Sequence, residues 1–180
     1  MTTLDVDHVV VGLGGLGSAA AYWLAQISQS TRGREASIVG LEQFALGHDR
    51  GASHDHSRII RRSYHTPGYV RLASEAYETW DAVALELGDE IVVRTGGIDL
   101  FPSGGAIPID DYTASLDAVG VPYELLDASE TMRRYPQFRL TDDVIALAQS
   151  DTGIAPAAKG TAAHRQLARS REYRDGSRGL

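Results

Sequence analysis

Cysteine is absent from the 180 residues. That excludes a disulfide framework, thiolate metal ligands, a cysteine nucleophile and a cysteine-linked cofactor within this chain. Lysine is nearly absent too: of seventeen basic residues sixteen are arginine, so Lys159 is the one candidate for chemistry that needs a side-chain amine. There is no run of about 18 apolar residues to cross a bilayer, and a membrane partner is not expected. Residues 1–7 carry two acids and no base, the wrong charge for a secretory signal or transit peptide, so a cytoplasmic address is the simplest expectation.

What is present fits a folded domain. With 43% hydrophobic and 23% charged residues the chain can bury a core. Seventeen basic against twenty-four acidic residues give a net charge of −7, which argues against a whole-surface field for nucleic acid. The distribution says more. Residues 48–71 hold five arginines against Asp49 and Asp55, with four of the six histidines, whereas residues 72–132 hold thirteen acids and only Arg94. A basic island in an acidic chain suggests an anionic ligand; solvated charge on a loop is the plainer alternative.

Along the chain, residues 7–12 read as a buried strand, because a β-branched run ends at a glycine. Residues 18–29 read as a helix and 36–41 as a second strand ending at Glu42, a β-α-β unit whose right-handed crossover makes the strands parallel. Residues 46–57 form a loop and 58–64 an extended segment. The three-and-four spacing of Tyr69, Leu72, Ala76, Trp80, Val83 and Leu87 predicts an amphipathic helix over 67–87, terminated by Gly88. Strand is expected over 91–101 and 144–149, and helix over 110–119, 128–135 and 156–169. The last eleven residues have no apolar period and read as a disordered end.

The motif that carries most weight is Gly12-Leu-Gly14-Gly15-Leu-Gly17, a GxGxxG between a strand and a helix. Gly12 allows the tight turn, Gly14 lets backbone N–H groups approach a diphosphate, and Gly17 lets helix and strand pack closely. The helix N-terminus then presents its positive dipole end and free N–H groups to the anion. Glu42 stands where a carboxylate hydrogen-bonds ribose hydroxyls and repels a 2′-phosphate, which disfavours NADP. The spacing alone serves NAD and FAD equally.

The residues beyond Glu42 separate the two. The stretch from Glu42 through His48, Gly51, His54, Asp55, His56 and Ser57 to Arg58-Ile-Ile-Arg61 resembles the flavin-binding segment of the monomeric sarcosine oxidase and N-methyltryptophan oxidase family, within the FAD-dependent amino-acid oxidases. Arg94-Thr-Gly-Gly-Ile-Asp-Leu, Tyr135-Pro-Gln-Phe and Asp151-Thr-Gly look like further landmarks, and the resemblance runs from Asp5 to about Ala168. It departs from the family at Asp55-His56, where Gly-Asp is usual, and at Ser57, where threonine is common.

The resemblance implies FAD, held without a covalent bond to this chain. Gly12, Gly14, Gly15 and Gly17 would hold its diphosphate and Glu42 its ribose, with His54, Ser57 and Arg58 along the flavin. Arg61 matches the arginine that pairs with the substrate carboxylate, a task suited to a planar fork; with His54 and Arg58 it forms the candidate catalytic set. If 58–62 is extended, Arg58 and Arg61 point to opposite faces, one to the cofactor and one to the substrate. Pairing of Arg61 and Arg62 with acids of the following helix is the structural alternative. His54-Asp55-His56 lacks a defined third ligand, and no metal is expected.

The implied fold is α/β: a Rossmann-like FAD-binding domain over 1–87, part of an inserted α+β substrate domain over 88–149, a return to the FAD domain over 150–169 and a disordered end over 170–180, apparently truncated. The implied activity is oxidation of a small carboxylate-bearing amine, with O2 as acceptor giving H2O2. A non-catalytic nucleotide-binding fragment needing a partner chain is the alternative.

Overall fold

The β-branched run His8–Val11 forms the first strand, β1. It ends where Gly12 takes a φ of +85°, a conformation that costs a side-chain-bearing residue free energy. In the computed structural model, which describes residues 5–32 and 36–172, helix α1 spans Gly15–Arg32. It begins three residues before the position read from the apolar pattern, because its first turn consists of the glycine motif itself. Strand β2, Ile38–Leu41, pairs with β1 in parallel, from His8 opposite Ile38 to Val11 opposite Leu41. The expected β-α-β unit is present.

By packing, the chain forms two compact units: Met1–Arg58, Val83–Ile91 and Ala155–Leu180 make one, and Ile59–Ala82 with Val92–Ile154 the other. In the first, α1 packs against the last helix, whose range is Ala157–Glu172. The buried face of α1 is Ser18, Ala21, Tyr22 and Ser28, and α5 buries Ala163, His164 and Leu167. The Tyr22 hydroxyl, whose ring lies 5.4 Å from that of His164, donates to Glu86 at 2.8 Å. The β1–β2 ribbon is covered on one face only. Val9 is 55% and Val11 82% exposed, so β1 alternates rather than being buried on both faces.

Residues 59–82 belong to the second unit. The short strand β3, Arg58–Ile60, leads to helix α2, Pro67–Leu87, at the bounds its spacing predicts. Gly88 ends it at φ +73°. Its buried stripe is Val70, Tyr77 and Val83, whereas Tyr69 and Leu72 are more than half exposed. Strands β4 (Val93–Arg94) and β5 (Gly97–Phe101), helix α3 (Ile109–Asp117), strand β6 (Glu124–Leu126), helix α4 (Ala128–Arg134) and strands β7 (Ile145–Gln149) and β8 (Gly153–Ala155) come next, and the last helix is therefore α5. They build two three-stranded sheets, β3-β8-β4 and β5-β7-β6. In the second of these β7 lies antiparallel to both neighbours. Strands β6 and β8 were not legible as such in the sequence.

Val70, Leu116, Val121 and Leu147 form one core cluster, on which Tyr64, Phe101 and Tyr112 pack. Leu126, Ala146 and Ala148 form a second. Helix α4 is capped by Asp127, whose carboxylate accepts the Glu130 N–H at 2.7 Å. No helix among the described residues is long and apolar enough to cross a membrane. Of the tail expected to be disordered, residues 170–172 continue α5 and 173–180 lie outside the described residues.

Candidate cofactor site

The glycine turn joins β1 to α1 and is held by side chains distant in sequence. A β-carbon on Gly17 would collide with the Gly12 carbonyl oxygen, so only glycine lets α1 start this close to β1. At Gly12 the space around such a carbon is empty, and at Gly14 its one neighbour is Ser53 Oγ, 3.7 Å away. The turn is thus open to an approaching ligand above Gly12 and Gly14 and closed against the strand at Gly17. These are the requirements of a backbone cradle for a diphosphate.

Glu42, just past β2, is bonded to that turn. Its Oε2 accepts the Leu13 N–H at 2.8 Å, and its Oε1 accepts the N–H groups of Gln43 and Phe44 at 2.8 and 3.2 Å. His48 Nε2 lies 3.4 Å from Oε1. The Leu13 N–H, then the Phe44 N–H, hold the Glu42 carboxyl below its ordinary value. A carboxylate has about four acceptor positions, and three N–H bonds leave room for one more donor.

Loop 46–57 folds over the turn. Ser53 Oγ accepts the Gly15 N–H at 2.9 Å, capping α1 from a residue 38 positions away. The Arg50 guanidinium stacks 4.8 Å from the centre of the Phe44 ring, against which the His48 ring also packs. A cavity of about 110 Å³ lies between the loop, the turn and α5, lined by Gly14, His48, Ser53, His54, Thr161 and Arg165 among others. Gly14 and His54 of the expected set therefore meet at one cavity, with Glu42 bonded to the turn beside it. The roles of Ser53, which lies within the Glu42–Arg61 segment, and of Arg165, which belongs to no motif, were missed.

Ser57 and Arg58 are exposed at the end of the loop. Arg58 donates to the Ala52 and Ser57 carbonyls at 2.6 and 2.8 Å and to Asp55 Oδ2 at 2.8 Å. Asp55, one of the departures from the family pattern, thus neutralises Arg58; the Arg58 hydrogen bond comes first among the causes that lower its carboxyl pKa. His54 Nδ1 is bonded to the Gly51 carbonyl, which requires the proton on that nitrogen. Among the described residues no three His, Asp or Glu side chains are placed to hold a metal ion.

Arg61 belongs to the second unit. Its Nη1 is paired with Asp99 Oδ1 on β5, and the Ser63 hydroxyl donates to Asp99 Oδ2. Arg62 pairs with Asp151 at 3.0 Å and lies 4.7 Å from the centre of the Tyr77 ring. Both arginines do meet acids, but on β5 and before β8 rather than on α2. The sequence could not show these pairings, which span long stretches of chain.

A family profile described as DAO, FAD dependent oxidoreductase, matches residues 7–175. The chain belongs to this family. Among relatives of the FAD dependent oxidoreductase, the monomeric sarcosine oxidase of Streptomyces avermitilis is 38% identical over 163 residues, which are 90% of this chain and 40% of that protein. The N-methyl-L-tryptophan oxidase of Yersinia pestis is 26% identical over 151 residues, 83% of this chain and 38% of that one. An open form of NikD, described as an unusual amino acid oxidase essential for nikkomycin biosynthesis, superposes with a TM-score of 0.77 at 25% identity, covering 94% of this chain and 42% of its own. The L-proline dehydrogenase of P. horikoshii, at 20% identity and a TM-score of 0.76, shares the fold. The chain spans about two fifths of the length of the curated relatives it matches.

Proposed function

We propose that this chain is the FAD-binding part of an amine oxidase of the sarcosine oxidase type, acting on an N-methyl amino acid or related carboxylate-bearing amine. The observation that carries the reading is the glycine turn, open above Gly12 and Gly14 and bonded through Leu13 to Glu42, in a chain 38% identical to a monomeric sarcosine oxidase. Gly12, Gly14, Gly15 and Gly17 hold the diphosphate and Glu42 the ribose, with His54, Ser57 and Arg58 along the flavin. The chain has no cysteine to bond the flavin through sulfur, and the hold proposed is non-covalent.

Bound FAD supplies the oxidising chemistry: acceptance of a hydride equivalent from the C–H bond beside the amine nitrogen, the electrons then passing to O2 to give H2O2. Arg61 orients the substrate. Asp99 fixes one edge of its guanidinium through Nη1, and the remaining donors of the fork are suited to a carboxylate. Residues 1–87 and 150–169 serve the cofactor and 88–149 form part of the substrate domain, a division by function rather than by packing. A cytoplasmic setting with neither nucleic acid nor membrane as partner belongs to the same reading.

The alternative is a non-catalytic nucleotide-binding fragment that needs a partner chain. Two measurements on the purified 180 residues test the cofactor site and catalysis in turn, and peroxide formed by this chain alone would exclude the alternative. Flavin fluorescence quenching on titration with FAD tests the cofactor site, and NAD bound equally well would overturn the choice of cofactor. A coupled peroxide assay with sarcosine and N-methyl amino acids tests catalysis; FAD uptake without peroxide is expected of this chain alone, because substrate must be oriented to within about 1 Å for transfer.

A further inference from the structure

We propose that Arg165, on α5, is a further cofactor-binding residue, its guanidinium supplying the positive charge for the diphosphate at the glycine turn. This deepens the reading of that turn as an FAD site and rests on it. Arg165 Nη1 donates to the Leu13 carbonyl at 3.4 Å, so the residue whose N–H is held by Glu42 is approached on its other side by a cation from the far end of the chain. Arg165 also lines the 110 Å³ cavity with Gly14 and Ser53, and it is the one arginine or lysine there. No carboxylate lines that cavity.

Among the described residues no acid is paired with Arg165. Arg61 and Arg62, which are comparably shielded from water, each have an aspartate partner. Arg165 itself is half-buried, in a chain where acids outnumber bases by seven. Burying part of a cation without a counter-ion costs free energy, and an anion in the cavity removes that cost. A single bond of 3.4 Å to a carbonyl is too long to account for the placement structurally. Beside it the α1 N-terminus offers N–H groups, and the Ser53 hydroxyl already sits on that of Gly15. Cation, hydroxyl and helix N-terminus converge on one small cavity, and a diphosphate uses all three.

The test is FAD titration of the 180-residue chain and two variants, followed by flavin fluorescence at low and moderate salt, with the melting temperature of each apoprotein measured alongside. Arg165→Gln keeps a polar amide side chain and loses the charge. It is expected to raise the Kd for FAD by about tenfold or more, to flatten the salt dependence of binding, and to leave the apoprotein melting temperature within about 2 °C of the parent. Arg165→Lys, which keeps the charge, is expected to recover most of the loss. An Arg165→Gln Kd within about twofold of the parent, an equal loss in Arg165→Lys, or an unaltered salt dependence would overturn the assignment. A parent chain that takes up no FAD fails at an earlier stage: it overturns the reading of the glycine turn, and the role of Arg165 with it.

Discussion

The Glu42 carboxylate accepts the Leu13 N–H at 2.8 Å and so bonds the end of β2 to the glycine turn before any cofactor arrives. One group is therefore both a structural tie and the candidate ribose ligand. Its carboxyl lies below the ordinary 4.5, chiefly because of that N–H. A depressed folded pKa means that the stabilisation is complete above the unfolded value of about 4.5 and is lost as pH falls through the lower folded one. The melting-temperature gap between the parent and Glu42→Gln is expected to be constant above pH 4.5 and to close below it. A gap that persists unchanged into that acidic range would show that the charge of Glu42 does not hold the turn.

Gly17 and Gly14 make opposite demands. A methyl group at Gly17 meets the Gly12 carbonyl, so Gly17→Ala must push α1 away from β1 and should cost about 2 kcal/mol or more, as overpacking does. At Gly14 the nearest atom to such a methyl group is Ser53 Oγ at 3.7 Å, an ordinary contact. Gly14→Val should therefore melt near the parent yet lose FAD, by filling the space where backbone and diphosphate meet. Thermal melts by circular dichroism, paired with flavin retention, separate the two. Equal destabilisation by both would assign Gly14 to packing.

Asp99 receives Arg61 on one oxygen and Ser63 on the other, which fixes the guanidinium on β5. In a protein completed to the length of its relatives, Arg61→Leu is expected to raise KM for a carboxylate substrate far more than for the corresponding uncharged amine. Steady-state kinetics on the matched pair provide the measurement. An equal rise for both would leave Arg61 with only its pairing to Asp99.

The parts that were legible in the sequence are those encoded locally. The β-branched run, the glycine motif and the second strand define the parallel pair, and the α2 bounds come from spacing and from Gly88. The face that α2 buries was read only in part: Val83 of the expected stripe is buried, but Tyr69 and Leu72 are exposed, while Val70, beside Tyr69 in the chain, is wholly buried. Spacing gives a helix, whereas its rotation depends on what packs against it. Strands β6 and β8 have three residues each and exist only through partners far along the chain, Ala146–Ala148 for β6 and the β3 and β4 strands for β8. For the same reason the roles of Ser53 and Asp99, which lie inside the quoted segments, and of Arg165, which lies outside them, were not legible: the bonds that define them are long-range.

Tyr77 provides a test of the second unit that needs no cofactor. Its side chain is 1% exposed, and its hydroxyl donates to the Asp151 carbonyl at 2.8 Å. Burial pushes the phenol up to about 12, with the Asp151 charge acting the same way and the Arg62 and Arg94 guanidiniums, 4.7 and 5.6 Å from the ring centre, opposing it. For an acid whose folded pKa is raised, the stabilisation is complete below the unfolded value of about 10 and is lost as pH climbs from there through about 12. Alkaline unfolding of the parent is thus expected to include a contribution from Tyr77 over that interval. Tyr77→Phe loses the bond to Asp151, about 1 kcal/mol at neutral pH, but keeps the ring between the two guanidiniums and has no proton to lose. Urea unfolding on either side of pH 10 should show the variant less stable than the parent at neutral pH, with the gap narrowing as pH rises. A gap that is independent of pH would mean that the Tyr77 phenol ionises as easily in the fold as in the unfolded chain.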